Sequence, residues 1–130
     1  MNERSQKFKV TFVDDDPFLL TSIRRQLHDL EMDCQFCFFE SAVEAWEDAQ
    51  QSPPDMVFTD IQMPSMRGDE FLKLIKSKFP STIRIVLSST HEDTLSQYGD
   101  LIDQIVNKPA TSANIATIID QTINQCDDSN

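Results

Sequence analysis

The sequence predicts an α/β fold in which a five-stranded parallel sheet is covered by helices on both faces. Short apolar runs alternate with stretches whose apolar residues recur three or four positions apart, which gives five successive strand–helix units. No linker, repeat or low-complexity segment interrupts them. The length of 130 residues suits one compact domain. We therefore expect a single doubly wound domain over residues 1–130, with a core from about 7 to 125 and short polar tails.

The first unit opens with an apolar strand over Phe8–Val13. Asp16 followed by Pro17 predicts a helix start, because the aspartate can accept from free amides and proline has no N–H to satisfy. The helix that follows should pack its regularly spaced apolar residues on the sheet, namely Leu20, Ile23, Leu27 and Leu30.

The second unit has a strand over Gln35–Phe39 and a helix that begins with the capping-box pattern Ser41 to Glu44. The predicted apolar face of this helix carries Val43, Trp46 and Ala49, and the pair Pro53-Pro54 ends it. We expect Trp46 and the phenylalanines of the chain to lie in the core.

The third unit has a strand over Met56–Thr59 that ends at Asp60. A loop with Pro64 and Gly68 leads to a helix that Pro80 stops. The predicted apolar positions of this helix are Phe71, Leu74, Ile75 and Phe79.

The last two units are less alike. A strand over Ile83–Leu87 precedes the mostly polar stretch His91–Tyr98, for which we expect a short or irregular helix. A strand over Gln104–Asn107 precedes a helix capped by Thr111 or Ser112. The apolar positions of this last helix are Ile115, Ile118, Ile119 and Ile123.

Net charge and the distribution of apolar residues argue against binding to nucleic acid or to a membrane. The net charge is −11, with 22 acidic against 11 basic residues, and a field of that sign repels nucleic acid and membrane headgroups. No apolar stretch approaches the roughly 20 residues of a membrane span, and residues 1–9 lack the apolar region of a signal peptide. We therefore expect a cytoplasmic protein that binds neither nucleic acid nor membrane through this segment.

The cysteine pattern is a weak signal. Cys34 and Cys37 are three positions apart on a predicted strand, so their side chains should point to opposite faces of the sheet. This geometry disfavours a shared metal ion and a redox pair. We expect buried structural thiols.

Reactive side chains follow four of the five strands. Asp14 and Asp15 come after the first strand, Asp60 after the third, Ser88 after the fourth and Lys108 after the fifth. Because ligands of doubly wound folds bind beyond the carboxyl ends of the strands, these residues should share one site. Crowded carboxylates need a cation, and hard oxygen ligands suit Mg²⁺. A carboxylate at such a site can act as a nucleophile toward phosphorus and form an acyl phosphate.

These residues stand in motifs that resemble the receiver domain of two-component response regulators over roughly residues 7 to 125. Each motif alone is weak, but their order and spacing together are highly specific. The motifs are Val13-Asp14-Asp15-Asp16-Pro17, Asp60-Ile61-Gln62-Met63-Pro64 with Gly68, Val86-Leu87-Ser88-Ser89 and Asn107-Lys108-Pro109.

The resemblance implies a flavodoxin-like (βα)5 fold and a role for each site residue. Asp60 would be the phosphoacceptor. Mg²⁺ would be held by carboxylates and by one backbone carbonyl, from Asp14, Asp15, Asp60 and Gln62. Ser88 would contact the phosphoryl oxygens and shift on activation, and Lys108 would pair with the phosphoryl group. The bond between Lys108 and Pro109 is usually cis in this family, which would help to aim the lysine.

One position departs from the family pattern. The family often has an aromatic residue three positions before the lysine, which switches rotamer together with the hydroxyl residue. Here that switch position is Ile105, which cannot flip in the same way. The interval from Ser88 to Lys108 is also about two residues shorter than usual, which affects the fourth helix.

The resemblance also implies partners. The donor would be a sensor histidine kinase or a phosphotransfer protein, and the output would be a downstream protein or a fused domain. Such a domain is a phosphorylation-dependent switch with autocatalysed phosphoryl transfer and dephosphorylation, and not an enzyme for a separate substrate. The resemblance leaves open a homodimer through the face of the fourth helix, fifth strand and fifth helix. The residues around Arg84 and Asp103 resemble receivers fused to HD-type output domains.

Two alternatives belong to other classes. A haloacid-dehalogenase-like phosphatase would use Asp14 and Asp16 as its first motif, but its acidic motif should follow Lys108, whereas Asp100 precedes it. That alternative also leaves Asp60 unexplained. The second alternative is a degenerate receiver that acts only as a binding module, which the intact set of site residues disfavours. The sequence is compatible with a stand-alone regulator and with a receiver cut from a longer protein.

Overall fold

The computed structural model describes residues 7–88, 96–108 and 111–128. Five parallel strands form one sheet in the order β2-β1-β3-β4-β5. The strands are β1 Phe8–Val13, β2 Cys34–Phe39, β3 Met56–Thr59, β4 Ile83–Ser88 and β5 Gln104–Asn107. The helices are α1 Pro17–Leu30, α2 Ala42–Gln51, α3 Gly68–Lys78, the 3-10 helix Ser96–Leu101 and α4 Ser112–Asp128.

The doubly wound parallel sheet is confirmed, and so are its strands. Three strands have the predicted bounds, β2 begins one residue earlier and β4 ends one residue later than predicted. The order of the strands places β1 between β2 and β3, so the chain reverses direction across the sheet after β2. This reversal opens a crevice at the carboxyl ends of β1 and β3.

Two hydrophobic clusters cover the two faces of the sheet. The first cluster joins the sheet to α1 and α4, and its central ring is Phe12, which stacks on Phe58 at 4.9 Å and on Phe38 at 5.1 Å between centroids. The second cluster joins the other face to α2, α3 and the 3-10 helix, through residues such as Phe71 and Leu101. The layer of helices on each face is what a parallel sheet requires, because both of its faces must be buried.

The predicted apolar faces of α1 and α2 need correction. Leu30, at the end of α1, is 51% exposed, because Glu31 takes a left-handed conformation (φ 53°) and ends the helix there. In α2 the predicted Val43 is 38% exposed. Ala49 is buried as predicted, and the helix also buries Ala42 and Ala45, which allow a close approach to the sheet.

The aromatic residues are also not all buried as expected. Phe18 is 84% exposed at the start of α1, directly after the Asp16 cap and Pro17. Trp46 is half-buried, and its ring centroid lies 6.0 Å from that of Phe79. In α3, Phe71 and Ile75 are fully buried as predicted, whereas Leu74 and Phe79, the residue directly after the helix, are half-buried.

Predicted helix caps are confirmed at three helices. Asp16 Oδ1 accepts from the backbone amide of Phe18 at 3.0 Å, and Ser41 Oγ accepts from that of Val43 at 3.2 Å. Thr111 Oγ1 accepts from the amide of Asn114 at 3.1 Å, so Thr111 caps α4. These bonds satisfy amides that have no partner inside the helix.

The last helix and the cysteines largely follow expectation. In α4, Ile115 and Ile119 are fully buried, and Ile118 and Ile123 pack at the margin of the first cluster. Cys34 is buried and Cys37 is half-buried, and neither is in a disulfide. Burial raises the pKa of both thiols, so they stay protonated, as expected of structural cysteines.

The stretch predicted as a short or irregular helix is only partly described. Residues 91–95 lie outside the described residues, and the chain from Ser96 to Leu101 forms a 3-10 helix. This helix contains Gly99 with φ 55° and ψ −128°, a backbone conformation that residues other than glycine rarely adopt. None of the described helices is long and apolar enough to cross a bilayer.

Two basic side chains are buried within strands, which the sequence pattern did not indicate. Lys9 on β1 is 4% exposed, and its Nζ lies 2.8 Å from Asp48 Oδ2 and 2.6 Å from the carbonyl oxygen of Ser52. Arg84 on β4 is 6% exposed, and its Nε donates to the carbonyl of Leu101 at 2.8 Å. Each side chain ties a helix end to the sheet.

We predict that Lys9→Ala lowers the free energy of unfolding by about 2 kcal/mol. The substitution leaves the Ser52 carbonyl and the Asp48 carboxylate without their cation, and the cost is below that of a fully buried pair because Asp48 is partly exposed. Urea unfolding measures the change. The matched control is Lys7→Ala, which removes an exposed 3.7 Å pair with Asp33 and should cost about 0.5 kcal/mol or less. Equal effects of the two substitutions would contradict this role for Lys9.

Candidate functional site

The carboxyl ends of β1, β3, β4 and β5 bring the predicted site residues to one edge of the sheet. In the strand registers, Val13 lies opposite Thr59, and Ser88 lies opposite Asn107. The residues that follow these positions therefore emerge side by side. The carboxylates of Asp14, Asp15 and Asp60 each offer an oxygen atom within 4.8 Å of the others.

Asp14 is the buried member of the acidic cluster. Its residue surface is 0% exposed, and its backbone amide donates to the carbonyl of Phe39 at 3.1 Å, which extends the pairing with β2. Its Oδ1 accepts from the backbone amide of Asp16 at 2.9 Å. The tight turn into α1 thus holds the carboxylate in one orientation, while Asp15 next to it is exposed.

Asp60 is held by the backbone on both sides and remains partly accessible. Its amide donates to the carbonyl of Val13 at 3.1 Å, and its Oδ1 accepts from the amide of Ile61 at 2.7 Å. The side chain is 20% exposed. Its second oxygen, Oδ2, faces the ammonium of Lys108 at 3.4 Å.

The Lys108 ammonium lies between the carboxylates of Asp14 and Asp60. Its Nζ lies 2.8 Å from Asp14 Oδ2 and 3.4 Å from Asp60 Oδ2, and its backbone amide donates to the carbonyl of Ser88 at 2.7 Å. Burial alone would lower the pKa of this ammonium, but the carboxylates of Asp14 and Asp60 outweigh burial and raise the pKa. Lys108 is therefore a permanent cation at physiological pH.

Gly68 sets the path of the loop after Asp60, a role that the sequence interpretation did not assign to it. Its amide donates to the carbonyl of Ile61 at 2.8 Å. A Cβ atom at this position would stand 1.8 Å from the carbonyl oxygen of Asp60, which no packing can accommodate. Only glycine therefore permits the start of α3 to lie against the backbone of the acidic residue. The signal in the sequence was the glycine eight positions after Asp60.

The other predicted site residues lie nearby or outside the described part of the chain. Ser88 is 4% exposed at the end of β4, and Gln62 is exposed in the loop after Asp60. Ile105 is half-buried at the edge of the second hydrophobic cluster, on β5. Pro109 lies outside the described residues, so the predicted cis bond that precedes it stays a prediction.

The donor atoms at this edge fit a hard divalent cation. Asp14 Oδ2 is buried, and its partner at 2.8 Å is the ammonium of Lys108. This buried carboxylate oxygen lies next to two further carboxylates, and carboxylate oxygens are the ligands that a hard divalent cation prefers. Three carboxylates against one ammonium also leave an excess of negative charge, which Mg²⁺ would neutralise.

We predict that Gly68→Ala lowers the free energy of unfolding by about 1–3 kcal/mol, because the added methyl group forces the α3 start away from Asp60. Thermal or urea unfolding measures the loss. Ser65→Ala in the same loop is the control, since Ser65 is exposed and its truncation should change stability by less than about 0.5 kcal/mol. A Gly68→Ala protein as stable as the wild type would show that the close approach does not exist.

Comparison with known proteins agrees with this arrangement. Residues 10–120 match the family model of the response regulator receiver domain. The chain is 33% identical over 88 residues to the DNA-binding transcriptional regulator NtrC of Proteus hauseri, which covers 68% of this chain and 18% of that protein. It is 33% identical over 97 residues to the chemotaxis protein CheY of Listeria monocytogenes, which covers 75% of this chain and 76% of that protein.

Solved structures give the same result. The non-phosphorylated receiver domain of the stress response regulator RcsB from Escherichia coli superposes with a TM-score of 0.79 at 25% identity, and the match covers 92% of this chain and 95% of that one. The chain spans less than a fifth of NtrC and about three quarters of CheY. From its fold, its acidic cluster and these matches, the chain belongs to the receiver domain family of two-component response regulators.

Proposed function

We propose that Asp60 accepts a phosphoryl group in a Mg²⁺-dependent reaction, and that the acyl phosphate switches the domain between two signalling states. The observation that carries this proposal is the placement of the Lys108 ammonium between Oδ2 of Asp14, at 2.8 Å, and Oδ2 of the partly exposed Asp60, at 3.4 Å. Asp60 is the carboxylate of this pair that an incoming donor can reach, since Asp14 is fully buried.

The same contrast in burial opposes the phosphatase alternative. In that alternative Asp14 would be the nucleophile. A nucleophile must approach the phosphorus atom, but Asp14 has no exposed surface, and its Oδ1 is held by the amide of Asp16 at 2.9 Å. Asp60 combines partial exposure with one oxygen that no backbone amide of the described residues holds.

The residues that would hold the metal ion are Asp14, Asp15, Asp60 and the backbone carbonyl of Gln62. When bound, Mg²⁺ would neutralise charge on the transferring phosphoryl oxygens. The backbone hydrogen bonds to Asp14 and Asp60 orient the carboxylates before the donor arrives, so little reorganisation is needed during transfer.

The transfer itself uses the side chains of the chain in defined roles. An oxygen of Asp60 forms the new bond to phosphorus while the bond from phosphorus to the donor breaks, and the leaving atom, the imidazole nitrogen of a phosphohistidine or the acyl oxygen of acetyl phosphate, keeps the electron pair. The Lys108 ammonium contributes a positive charge, and it can shift its contact from the Asp60 carboxylate to the phosphoryl oxygens. Ser88, at the end of β4, would donate its hydroxyl to a phosphoryl oxygen and so carry the signal into that strand.

The donor proposed for this reaction is a phosphohistidine of a sensor kinase or phosphotransfer protein, or a small phosphodonor. The output proposed is a separate protein or a fused domain, as in the much longer relative NtrC. We also propose a homodimer through the face of β5, α4 and the helix that precedes β5. Part of that face lies outside the described residues.

We predict that the protein incubated with Mg²⁺ and acetyl phosphate gains the mass of one phosphoryl group in intact-mass spectrometry. The gain should be lost in Asp60→Asn, because the amide is not a nucleophile. The control is Asp16→Asn, which retains a good helix cap beside the site and should still be modified. A mass gain that persists in Asp60→Asn would contradict the assignment of the phosphoacceptor.

We further predict that saturating Mg²⁺ raises the melting temperature at neutral pH, since only the native state assembles the ligands. At a hundredfold excess over the dissociation constant the gain is about 2.7 kcal/mol. In chelator, Asp15→Asn should melt above the wild type, because it removes one of three crowded like charges, and it should respond less to Mg²⁺.

The control for this experiment is Asp29→Asn, an exposed acid on α1 outside the acidic cluster, which should leave the Mg²⁺ response unchanged. A wild-type melting temperature that ignores Mg²⁺, together with an Asp15→Asn protein that is less stable than the wild type in chelator, would refute the shared acidic site.

A further inference from the structure

An open apolar groove lies between α2 and α3, on the face of the sheet that the second hydrophobic cluster covers. Its volume is about 730 Å³. The apolar side chains that line it are Val43 from α2, Met66 from the loop after Asp60 and Leu74 from α3. Val43 is 38% exposed, and the other two are half-buried. The described residues therefore leave a patch of apolar surface uncovered between the two helices.

The groove lies beside the start of α3, whereas the two helices touch near its end. Just after α3, the ring centroid of Phe79 lies 6.0 Å from that of Trp46 on α2. At the other end, Ser65 has a left-handed backbone conformation with φ 68°, which residues other than glycine rarely adopt. Gly68 holds the start of α3 against the backbone just after β3. Met66 stands between these two residues, so its place in the groove is set by the backbone.

The charged side chains at the groove are more acidic than basic. Glu70 lines the groove from α3, and Glu47 lies one helical turn after Val43 on the same side of α2. Lys73 is the basic side chain on the α3 wall. Within the described part of the chain, none of these three charged groups forms a salt bridge. Their charges are therefore available to a partner.

The occupant that fits these features is an amphipathic helix with basic flanks. A groove of this kind accepts the apolar stripe of a helix, whose anchors recur at positions i, i+3, i+4 and i+7. Lysine or arginine beside that stripe would face Glu47 and Glu70, and the net charge of −11 would steer a basic segment toward this protein. A second copy of this chain fits less well, because it carries the same negative charge.

We propose that the groove between α2 and α3 is a docking site for a basic amphipathic helix of a partner protein. The apolar side chains of that helix would pack on Val43, Met66 and Leu74, and its basic side chains would pair with Glu47 and Glu70. This surface is separate from the acidic edge of the sheet and from the face of β5 and α4. The inference therefore goes beyond the proposed function.

Methyl NMR with a model peptide tests this inference. The probe is a synthetic helical peptide of alanine, leucine and lysine, with leucines at positions i, i+3, i+4 and i+7 and lysines beside them. The protein carries ¹³C at its methionine methyl groups, and the Met66 signal is assigned by its loss in Met66→Leu. We expect the peptide to shift this signal until it saturates. The signal of Met32, at the margin of the first cluster on the opposite face of the sheet, should not move.

A second peptide of the same composition, scrambled so that it has no apolar stripe, should bind several-fold more weakly. Val43→Lys should weaken binding of the first peptide about tenfold, because it replaces an apolar contact by a charge that repels the lysines. The matched control is Leu30→Lys, the same exchange at an exposed apolar residue at the end of α1, which should bind as the wild type does. Glu47→Gln should weaken binding several-fold, whereas Asp29→Asn on α1 should not.

A Met66 signal that stays in place at millimolar peptide would overturn the docking site. Equal binding of the scrambled peptide, or a Val43→Lys protein that binds like the wild type, would overturn the fit of an amphipathic helix to this groove. A Met66 signal that moves with protein concentration in the absence of peptide would assign the groove to a second copy of this chain and overturn the proposed occupant. All of these measurements use the unphosphorylated protein, so a failure of the phosphoacceptor assignment leaves this inference unaffected.

Discussion

A buried carboxylate, Asp14, determines how the rest of the site is built. A carboxylate with no exposed surface needs a compensating cation and hydrogen-bond donors. The chain supplies the amide of Asp16 from the turn into α1 and the ammonium of Lys108 from the end of β5. Asp16 follows the first strand and Lys108 follows the last. The fold must therefore bring the carboxyl ends of β1, β3, β4 and β5 to the same edge of the sheet. The reversal of strand order at β1 leaves the crevice in which Asp60 stays accessible.

The two hydrophobic clusters and two buried basic side chains keep this edge in register. A parallel sheet cannot leave either face in water, so α1 and α4 cover one face and α2 and α3 the other. Lys9 fastens the end of α2 to β1, and Arg84 fastens the 3-10 helix to β4. Both lie in the strands whose far ends lead into the site. The interior is thus held by charge as well as by apolar contact.

Much of this architecture is readable from the sequence because its signals are local. Strand bounds, the Asp16 and Ser41 caps and the convergence of Asp14, Asp60 and Lys108 all follow from short patterns and from the geometry of parallel sheets. The errors arise where distant partners decide. Nothing near Lys9 in the sequence indicates that Asp48 and Ser52 will bury it, and the face of α2 depends on how closely alanines let that helix approach. Phe18 is exposed in the first turn of α1, which spacing alone does not indicate.

The central claim is that Asp60, and not its acidic neighbours, carries the phosphoryl group. Borohydride reduction of the phosphorylated protein converts an aspartyl phosphate to homoserine, and tandem mass spectrometry of the peptides then locates it. We expect homoserine at position 60 and an unchanged residue at positions 14 and 15, since Asp14 is buried and Asp60 is partly exposed beside Lys108. Homoserine at Asp14 or Asp15, or a phosphorylated protein that yields no homoserine, would contradict the account.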